Sequence, residues 1–460
     1  MAEPNGYARV DAEMGRLMFS AEVTDSGELV VTGPAIGGGE TRRAVPLGDR
    51  QHGAWPDAFR ALAEGFGTRL PRNRESWQPE GHCPATEPLL TRNIAAGIRD
   101  GYGDPAVIRT EHGYHLVATS NDAADAFPIL RSPDLRQWEH AGFVFPAGAA
   151  PPWAITGENV ADFWAPELHR VGDGYLLCFT ARDGARELCI GLARAEHPEG
   201  PFTPDPEPLL TGGVIDPHLL VCDSRTLLFW KEDTNAVWPR LLAALLNEQP
   251  ALADRLFDDE RDRRTAHLCA ALWRWARTAS PMEQFFALQP LIEAGVAHYT
   301  ELRTRLGEHS QIVEAMRTPV FGQELAADGR SLLGERRVVL VNDLAWEGHL
   351  IEGNWVTWQQ GRYYLFYSGN DFSTPDYGIG VAISDDPFGP YIKMPEPLLR
   401  TTRDWWGPGH PSVATGPDGV PRLFFHAFPP GTGGYKQFRA LLSARLAFHE
   451  DRVELLPCPQ

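Results

Sequence analysis

From Gly101 onward the hydrophobic and polar positions repeat one theme: a short polar motif, a turn, then an aromatic-rich strand of alternating or continuous apolar character. Tyr114–Thr119, Tyr175–Thr180, Leu227–Trp230, Tyr363–Ser368 and Leu423–His426 are the five copies of that strand, each behind a turn signal such as Gly172-Asp173-Gly174 or Pro417-Asp418-Gly419. The polar motifs upstream are Asp104-Pro105, Trp164-Ala165-Pro166-Glu167, Asp216-Pro217-His218, Glu352-Gly353-Asn354 and Gly407-Pro408-Gly409-His410. Taking Asp104, Trp164, Asp216, Glu352 and His410 as markers, the intervals are 60, 52, 136 and 58 residues. The long interval holds a region of different character, Pro239 to Thr318, with no glycine between Gly213 and Gly295. Leu241, Leu242, Leu245 and Leu246 form one helical stripe there, and Leu268, Leu272 and Trp275 another. Ser280-Pro281-Met282-Glu283 reads as a capping box with proline at the first helical position.

Repeats of about 50 to 60 residues, each worth about four short strands, predict a β-propeller. The expectation is an all-β, five-bladed β-propeller with an α-helical insertion of about 80 residues. The division that follows is an amino-terminal extension at 1–95, blades one to three (first part) at 96–238, the insertion at 239–318, and the remainder at 319–460. The extension is partly strand-like, with alternation from Leu17 to Val31, a turn at Gly37-Gly38-Gly39 and a helical candidate from Pro56 to Phe66. No chemistry is assigned to it.

Composition narrows the partners. With 42 Lys+Arg against 61 Asp+Glu the formal charge of the 460 residues is −19, and no block of Lys or Arg interrupts it. Phosphate backbones and anionic membrane surfaces are repelled, so neither nucleic acid nor membrane is expected as a partner. Met1–Met18 lacks the apolar run of a signal peptide, and no stretch approaches a membrane span. Six scattered cysteines without a CxxC pair read as reduced thiols in a cytoplasmic protein.

Asp104, Asp216 and Glu352 each sit at the head of a blade's first strand, which is the innermost, so they converge on the propeller axis at one end. Any one of them read singly is a turn former, Asp before Pro or Glu before Gly. Three in register point instead to a shared pocket, where repulsion and desolvation separate carboxyl pKa values into an acid and an ionised base. Glycosidic cleavage needs such a pair, and carboxylates contributed across an axis favour the wide spacing that admits water and inverts the anomeric centre.

Asp104-Pro105-Ala106-Val107, Phe163-Trp164-Ala165-Pro166-Glu167-Leu168, Asp216-Pro217-His218, Glu352-Gly353-Asn354-Trp355 and Gly407-Pro408-Gly409-His410 together resemble the successive motifs of glycoside hydrolase family 43. The likeness covers about residues 95 to 450 less the insertion, and extends to the connecting segments Trp230-Lys231 through Asn235, Gln323-Glu324-Leu325 and Tyr377 to Pro390. It implies an inverting hydrolase of α-L-arabinofuranosides or β-D-xylosides, with Asp104 as general base, Glu352 as general acid and Asp216 as the carboxylate that tunes and orients the acid. Arg439 resembles an arginine that reaches substrate hydroxyls, against a solvated strand charge; Trp164 either stacks on a sugar face or is a buried propeller aromatic; His410 and Asn354 complete the candidate substrate-binding set. His410 stands where many members place a central hydrated ion, which makes a structural calcium the one cofactor expectation. A lone histidine without an acidic cluster does not make a calcium site, and no cofactor is required for the reaction. Glu167 and His169 read as structural.

Asn354 departs from the proline usual after Glu-Gly in the family, beside the acid candidate. The helical insertion, which most members lack, is a candidate pocket cap, rim ornament or surface for self-association. A small glycoside is the expected substrate, a natural-product glycoside among the candidates. The competing classes are a binding or scaffold propeller without turnover, and a sugar-to-phosphate transferase, for which the motif loops offer few Arg or Lys. No Gly-rich phosphate loop, HExxH or GxSxG is present.

Overall fold

Antiparallel four-stranded sheets recur five times along the chain, and a computed structural model describes them within residues 19–48, 54–69, 79, 81, 83, 85–222 and 225–458. Blade 1 is Ala106–Thr110, Gly113–Val117, Ala126–Ser132 and Glu139–Phe145, and blade 2 is Trp164–Val171, Gly174–Arg182, Leu188–Ala195 and Thr203–Pro204. Blade 3 is Val214–Cys222, Arg225–Glu232, Val320–Leu325 and Leu332–Leu340. Blade 4 is Ile351–Gln359, Arg362–Gly369, Gly378–Ser384 and Ile392–Lys393, and blade 5 is Trp406–Thr415, Pro421–Phe428, Ala440–Phe448 and Val453–Leu456. The first strands of successive blades lie against one another, and that of blade 5 lies against that of blade 1. This is the five-bladed propeller expected from the repeat.

The aromatic strands of the sequence pattern are the second strands, and they carry the core. Leu116, Leu177, Phe179, Leu227, Phe229, Tyr364, Phe366, Leu423 and Phe425 are all buried between sheets. Thr86–Leu90, from the segment before blade 1, pairs with Ala440–Phe448 of blade 5 and occupies the half of that edge which Val453–Leu456 leaves free. A strand assigned by sequence to the extension therefore belongs to the last blade.

In blade 3, Thr226–Lys231 pairs directly with Val320–Leu325, although the chain between them runs through the helices. Those helices belong to a second unit, formed by Thr234–Arg317 together with the described part of residues 1–73. It contains a three-stranded meander, Ser20–Val23, Glu28–Pro34 and Glu40–Pro46, a helix Ala54–Gly65, and the helices Val237–Glu248, Glu260–Ala276, Pro281–Ala297, Tyr299–Arg305 and Ser310–Ala315. Sequence reading kept the extension and the insertion apart. They share a core because the Leu268 and Leu272 stripe packs against Phe19, Leu29, Val31 and Val45 of the meander, Phe59 and Leu62 of the helix Ala54–Gly65, and Ala287 of the insertion. Arg69 reinforces this through a bidentate pair with the fully buried Asp262, at 2.7 and 3.0 Å. The capping box is present, with Ser280 N–H donating to Glu283 Oε2 at 2.8 Å. No helix among the described residues is long and apolar enough to cross a membrane.

Candidate active site

At the head of every blade a residue in or just before the inner strand takes a left-handed backbone: Asp104 (φ 51°), Ala165 (45°), Asp216 (54°), Gly353 (58°) and His410 (52°), with Gly407 (55°) a further one in blade 5. Proline follows in four blades, as Pro105, Pro166, Pro217 and Pro411, and Asn354 in the other. Non-glycine residues pay about 1–2 kcal/mol for this conformation, and such strain collects where side chains must be aimed. The ring also corrects the sequence register. Glu352 does not share the repeat position of Asp104 and Asp216; it stands one residue earlier, level with Trp164 in blade 2. Gly353 holds the ring position, where an added Cβ would come within 3.0 Å of His410 Nδ1, so the acid candidate occupies the neighbouring residue.

A second ring supports the first. Thr119, Thr180, Lys231 and Ser368 lie fifteen residues after the left-handed position of their blade, and His426 sixteen. Each pairs with or lies beside the residue preceding the left-handed one. In four blades this residue accepts the left-handed N–H of the next blade. Thr119 Oγ1 accepts from Ala165 at 2.8 Å, Thr180 Oγ1 from Asp216 at 3.2 Å, Ser368 Oγ from His410 at 2.7 Å and His426 Nδ1 from Asp104 at 3.1 Å. Buried backbone donors are thereby satisfied around the axis.

Asp104 lies in a cationic setting. Its Oδ1 accepts from Arg439 Nη1 at 2.8 Å and lies 3.4 Å from both His410 Nδ1 and His426 Nδ1, while Oδ2 accepts from Thr119 Oγ1 at 2.5 Å. Burial by itself would raise this carboxyl, but Arg439, the two histidines and Thr119 together overrule it and hold it well below the ordinary carboxylate range. Gly103 is required beside it, because a Cβ there would meet Arg439 Cζ at 1.8 Å. Sequence reading aimed Arg439 at substrate; the structure places its guanidinium on the base candidate.

Glu352 and Asp216 behave in the opposite way. Glu352 Oε1 accepts from the Tyr377 hydroxyl at 2.9 Å, and Oε2 faces Lys231 Nζ at 3.7 Å. Asp216 Oδ2 accepts the Gly353 N–H at 2.9 Å, which anchors it beside the acid candidate's own peptide. Burial, then the Asp104 charge, pushes Asp216 up to about 6. Burial, opposed by Lys231 and assisted by Asp216, pushes Glu352 up to about 7. The arrangement lowers one carboxyl and raises two others around the same axis, the kind of separation that acid and base chemistry requires.

The other residues named from sequence fall around these. Trp164 is half-buried, donates from Nε1 to Asn121 Oδ1 at 3.1 Å and has the Arg182 guanidinium 5.5 Å from its ring centre. Asn354 is buried with no protein partner for either amide atom. Among the described residues one grouping of three metal-ligating types occurs, Glu167, His169 and His218. Glu167 Oε2 accepts from His169 Nε2 and His218 Nδ1, each at 2.8 Å, and His218 Nε2 accepts from Val356 N–H at 2.9 Å. Calcium asks for six to eight oxygen ligands; two imidazoles already bonded to one carboxylate, and a His410 nitrogen facing Asp104, do not fit it. Lys231, Tyr377, Thr119 and His426 were not singled out from sequence as site residues.

Comparisons with known proteins identify the family. A xylosidase/arabinosidase 43A of Humicola insolens is 27% identical over 242 residues, covering 52% of this chain and 60% of that protein. A beta-xylosidase of Xylanibacter ruminicola is 23% identical over 221 residues, 47% and 51% of the two chains. The chain thus matches only about half to three fifths of the length of these relatives. The crystal structure of a thermostable family-43 glycoside hydrolase superposes with a TM-score of 0.56 at 24% identity, over 80% of this chain and 98% of that one. An endo-arabinase from Bacteroides thetaiotaomicron shares the fold with a TM-score of 0.50 at 16% identity, over 78% and 99%. The profile of Glycosyl hydrolases family 43 matches residues 98–250 and 298–453, running through both arms of the propeller, and the chain belongs to that family.

Proposed function

We propose that the protein hydrolyses a terminal pentoside, an α-L-arabinofuranoside or β-D-xyloside, of a small glycoside with inversion of configuration. Asp104 takes a proton from the attacking water, Glu352 donates one to the leaving oxygen, and Asp216 orients Glu352. The observation that carries this reading is the pair of opposed environments on one ring: Asp104 beside Arg439, and Glu352 beside Asp216 and Tyr377. Placement of base and acid on blades 1 and 4 supports a separation with room for water, the inverting arrangement. A propeller without turnover would have no need of a carboxyl kept protonated near neutral pH.

Action at a chain end is supported by the rim. Each inner strand begins at the ring, so loops between second and third strands lie at the same end. The blade 5 loop is tied over blade 1 to the entry of blade 2, with Lys436 Nζ donating to Asp122 Oδ2 at 2.6 Å and Tyr435 O–H to Asp162 Oδ1 at 2.7 Å. On its other side Phe428, Thr432 and Gly433 share the lining of one small cavity with Phe372 and Thr374 of blade 4. A cleft for a polymer needs two openings across the face, and the ties from blade 5 to blades 1 and 2 favour a single one. Six cysteines scattered without a CxxC pair support a reducing, cytoplasmic compartment.

The test is hydrolysis of aryl α-L-arabinofuranoside and β-D-xyloside by wild type beside Asp104→Asn, with NMR of the first-formed sugar. Turnover lost in the variant and an inverted first product are expected. Retained configuration removes the mechanism, and no turnover on any pentoside removes the substrate class.

A further inference from the structure

The second-strand ring has one exception. Four of its members accept the left-handed N–H of the following blade, and the fifth, Lys231, cannot, because an ammonium has three donors and no acceptor. The N–H it leaves unserved is that of Gly353, the residue after the acid candidate, and Asp216 Oδ2 takes its place as acceptor at 2.9 Å. Lys231 is itself fully buried. Its ammonium stops 3.7 Å from Glu352 Oε2, beyond a hydrogen bond but well within charge range. Tyr377 already donates to Oε1, so the transferable proton belongs on Oε2, the oxygen that Lys231 faces without bonding.

We infer, building on the proposed reaction, that Lys231 is a positioning residue that fixes the proton count of the Asp216 and Glu352 pair at one. A buried cation demands one ionised neighbour. With two carboxyl groups and one ammonium, Asp216 ionises as the counter-charge while Glu352 keeps its proton. The same lysine, by declining the Gly353 N–H, forces Asp216 into the orientation that holds the acid's peptide. The other groups around this pair are Asp104 on blade 1, Asp233 on blade 3, and His349, Asp371 and Tyr377 around blade 4. Burial pushes His349 down to about 4, so it adds no charge near neutral pH. Tyr377 is held neutral by burial and by Glu352. Lys231 is thus the cation that opposes the field of Asp104, Asp233 and Asp371 on both Asp216 and Glu352.

Lys231→Thr is the sharpest variant, because threonine is what two other blades use at this position and it can accept the Gly353 N–H; Lys231→Met removes the charge alone. Both are expected to raise the alkaline limb of the kcat/KM profile on an aryl pentoside by about 1–3 pH units, and a limb coincident with wild type overturns the inference. A second measurement needs neither turnover nor a changed lysine. In Asp216→Asn, Lys231 is left with Glu352 as its sole counter-charge in the pair, so 13C NMR of labelled glutamate carboxyls should show Glu352 falling toward the ordinary carboxylate range. A Glu352 titration unchanged from wild type in that variant refutes the role of Lys231. If no pentoside is cleaved, the same titration of Lys231→Met, in which Glu352 should rise above wild type, separates the lysine from the loss of the Asp216 charge, so failure of the reaction and failure of the inference are told apart.

Discussion

The two sides of the propeller axis are built from equivalent second-strand positions and reach opposite results. On the blade 5 and 1 side, His426 occupies the second-strand position and accepts the Asp104 N–H. Arg439 then sets its guanidinium on the Asp104 carboxylate and holds it ionised. On the blade 3 and 4 side, Lys231 occupies the same position, cannot accept, and leaves Asp216 to hold Gly353 beside a protonated Glu352. The difference teaches that the propeller's fivefold symmetry supplies the convergence of side chains, while departures from that symmetry supply the chemistry. In the proposed reaction, carboxyl groups of similar intrinsic acidity serve as base and acid through what the neighbouring second strand offers.

The largest effects should come from removing either end of this contrast. Asp104→Asn is expected to lower kcat by about 10²–10⁴-fold on every aryl pentoside regardless of leaving group, with little change in KM. Glu352→Gln should cost a similar factor on poor leaving groups and far less on a dinitrophenyl glycoside, whose departure needs little protonation. Equal losses across leaving groups would contradict the assignment of acid and base. Steady-state kinetics with circular dichroism of both variants checks each outcome.

A smaller effect is expected from Arg439→Met. Loss of the nearest cation raises Asp104, so its ionised form disappears at a higher pH, and the acidic limb of kcat/KM should move up by about 1–3 pH units while the alkaline limb, set by Glu352, stays. Stability follows the same sign. A carboxyl depressed by folding stabilises the protein above its unfolded pKa of about 3.9, and that contribution is lost as pH falls through the folded value. The variant should therefore unfold at a higher pH on acidification than wild type. An acidic limb that stays in place would show that Arg439 serves substrate hydroxyls rather than the base, the role its resemblance implied.

Much of this was legible in the sequence because it is periodic. The blades recur about every 50 to 60 residues, the interruption between Asp216 and Glu352 stands out against that repeat, and the three carboxylates fall at or beside one position of it. The register error at Glu352 arose from aligning charged residues rather than backbone: Asp104, Ala165, Asp216, Gly353 and His410 share a conformation, not a side chain. The second ring was also in the sequence, at fifteen residues from four of those five positions, but Thr119, Thr180, Lys231, Ser368 and His426 share no chemistry that would draw the eye to the spacing. Tyr377 follows no period, since it lies in the loop between the second and third strands of blade 4. The joining of Leu268 and Leu272 to Phe19, Leu29 and Val31 was hidden for another reason. An apolar stripe states that a partner exists and not where along the chain it lies.

The smallest effect tests whether every break in symmetry is functional. Asn354 stands where the other four blades have proline, and the ladder between its strand and the next shifts register between Glu352 and Trp355, so no paired residue opposes it there. Proline is therefore compatible with the path that Pro105, Pro166, Pro217 and Pro411 already follow. The Asn354 amide is buried without a protein partner, an arrangement that costs about 1–3 kcal/mol unless a water or a ligand answers it. If Asn354 is a passive break, Asn354→Pro should keep kcat/KM within about threefold and leave stability equal or higher by up to about 1 kcal/mol, read by kinetics and thermal unfolding. If the amide binds the departing group, as its place beside Glu352 implied, the same variant should keep its melting temperature and lose kcat/KM in proportion to the size of the aglycone. A loss of that kind would extend the acid side of the pocket by one residue and set Asn354 beside Lys231 as a symmetry break that chemistry requires.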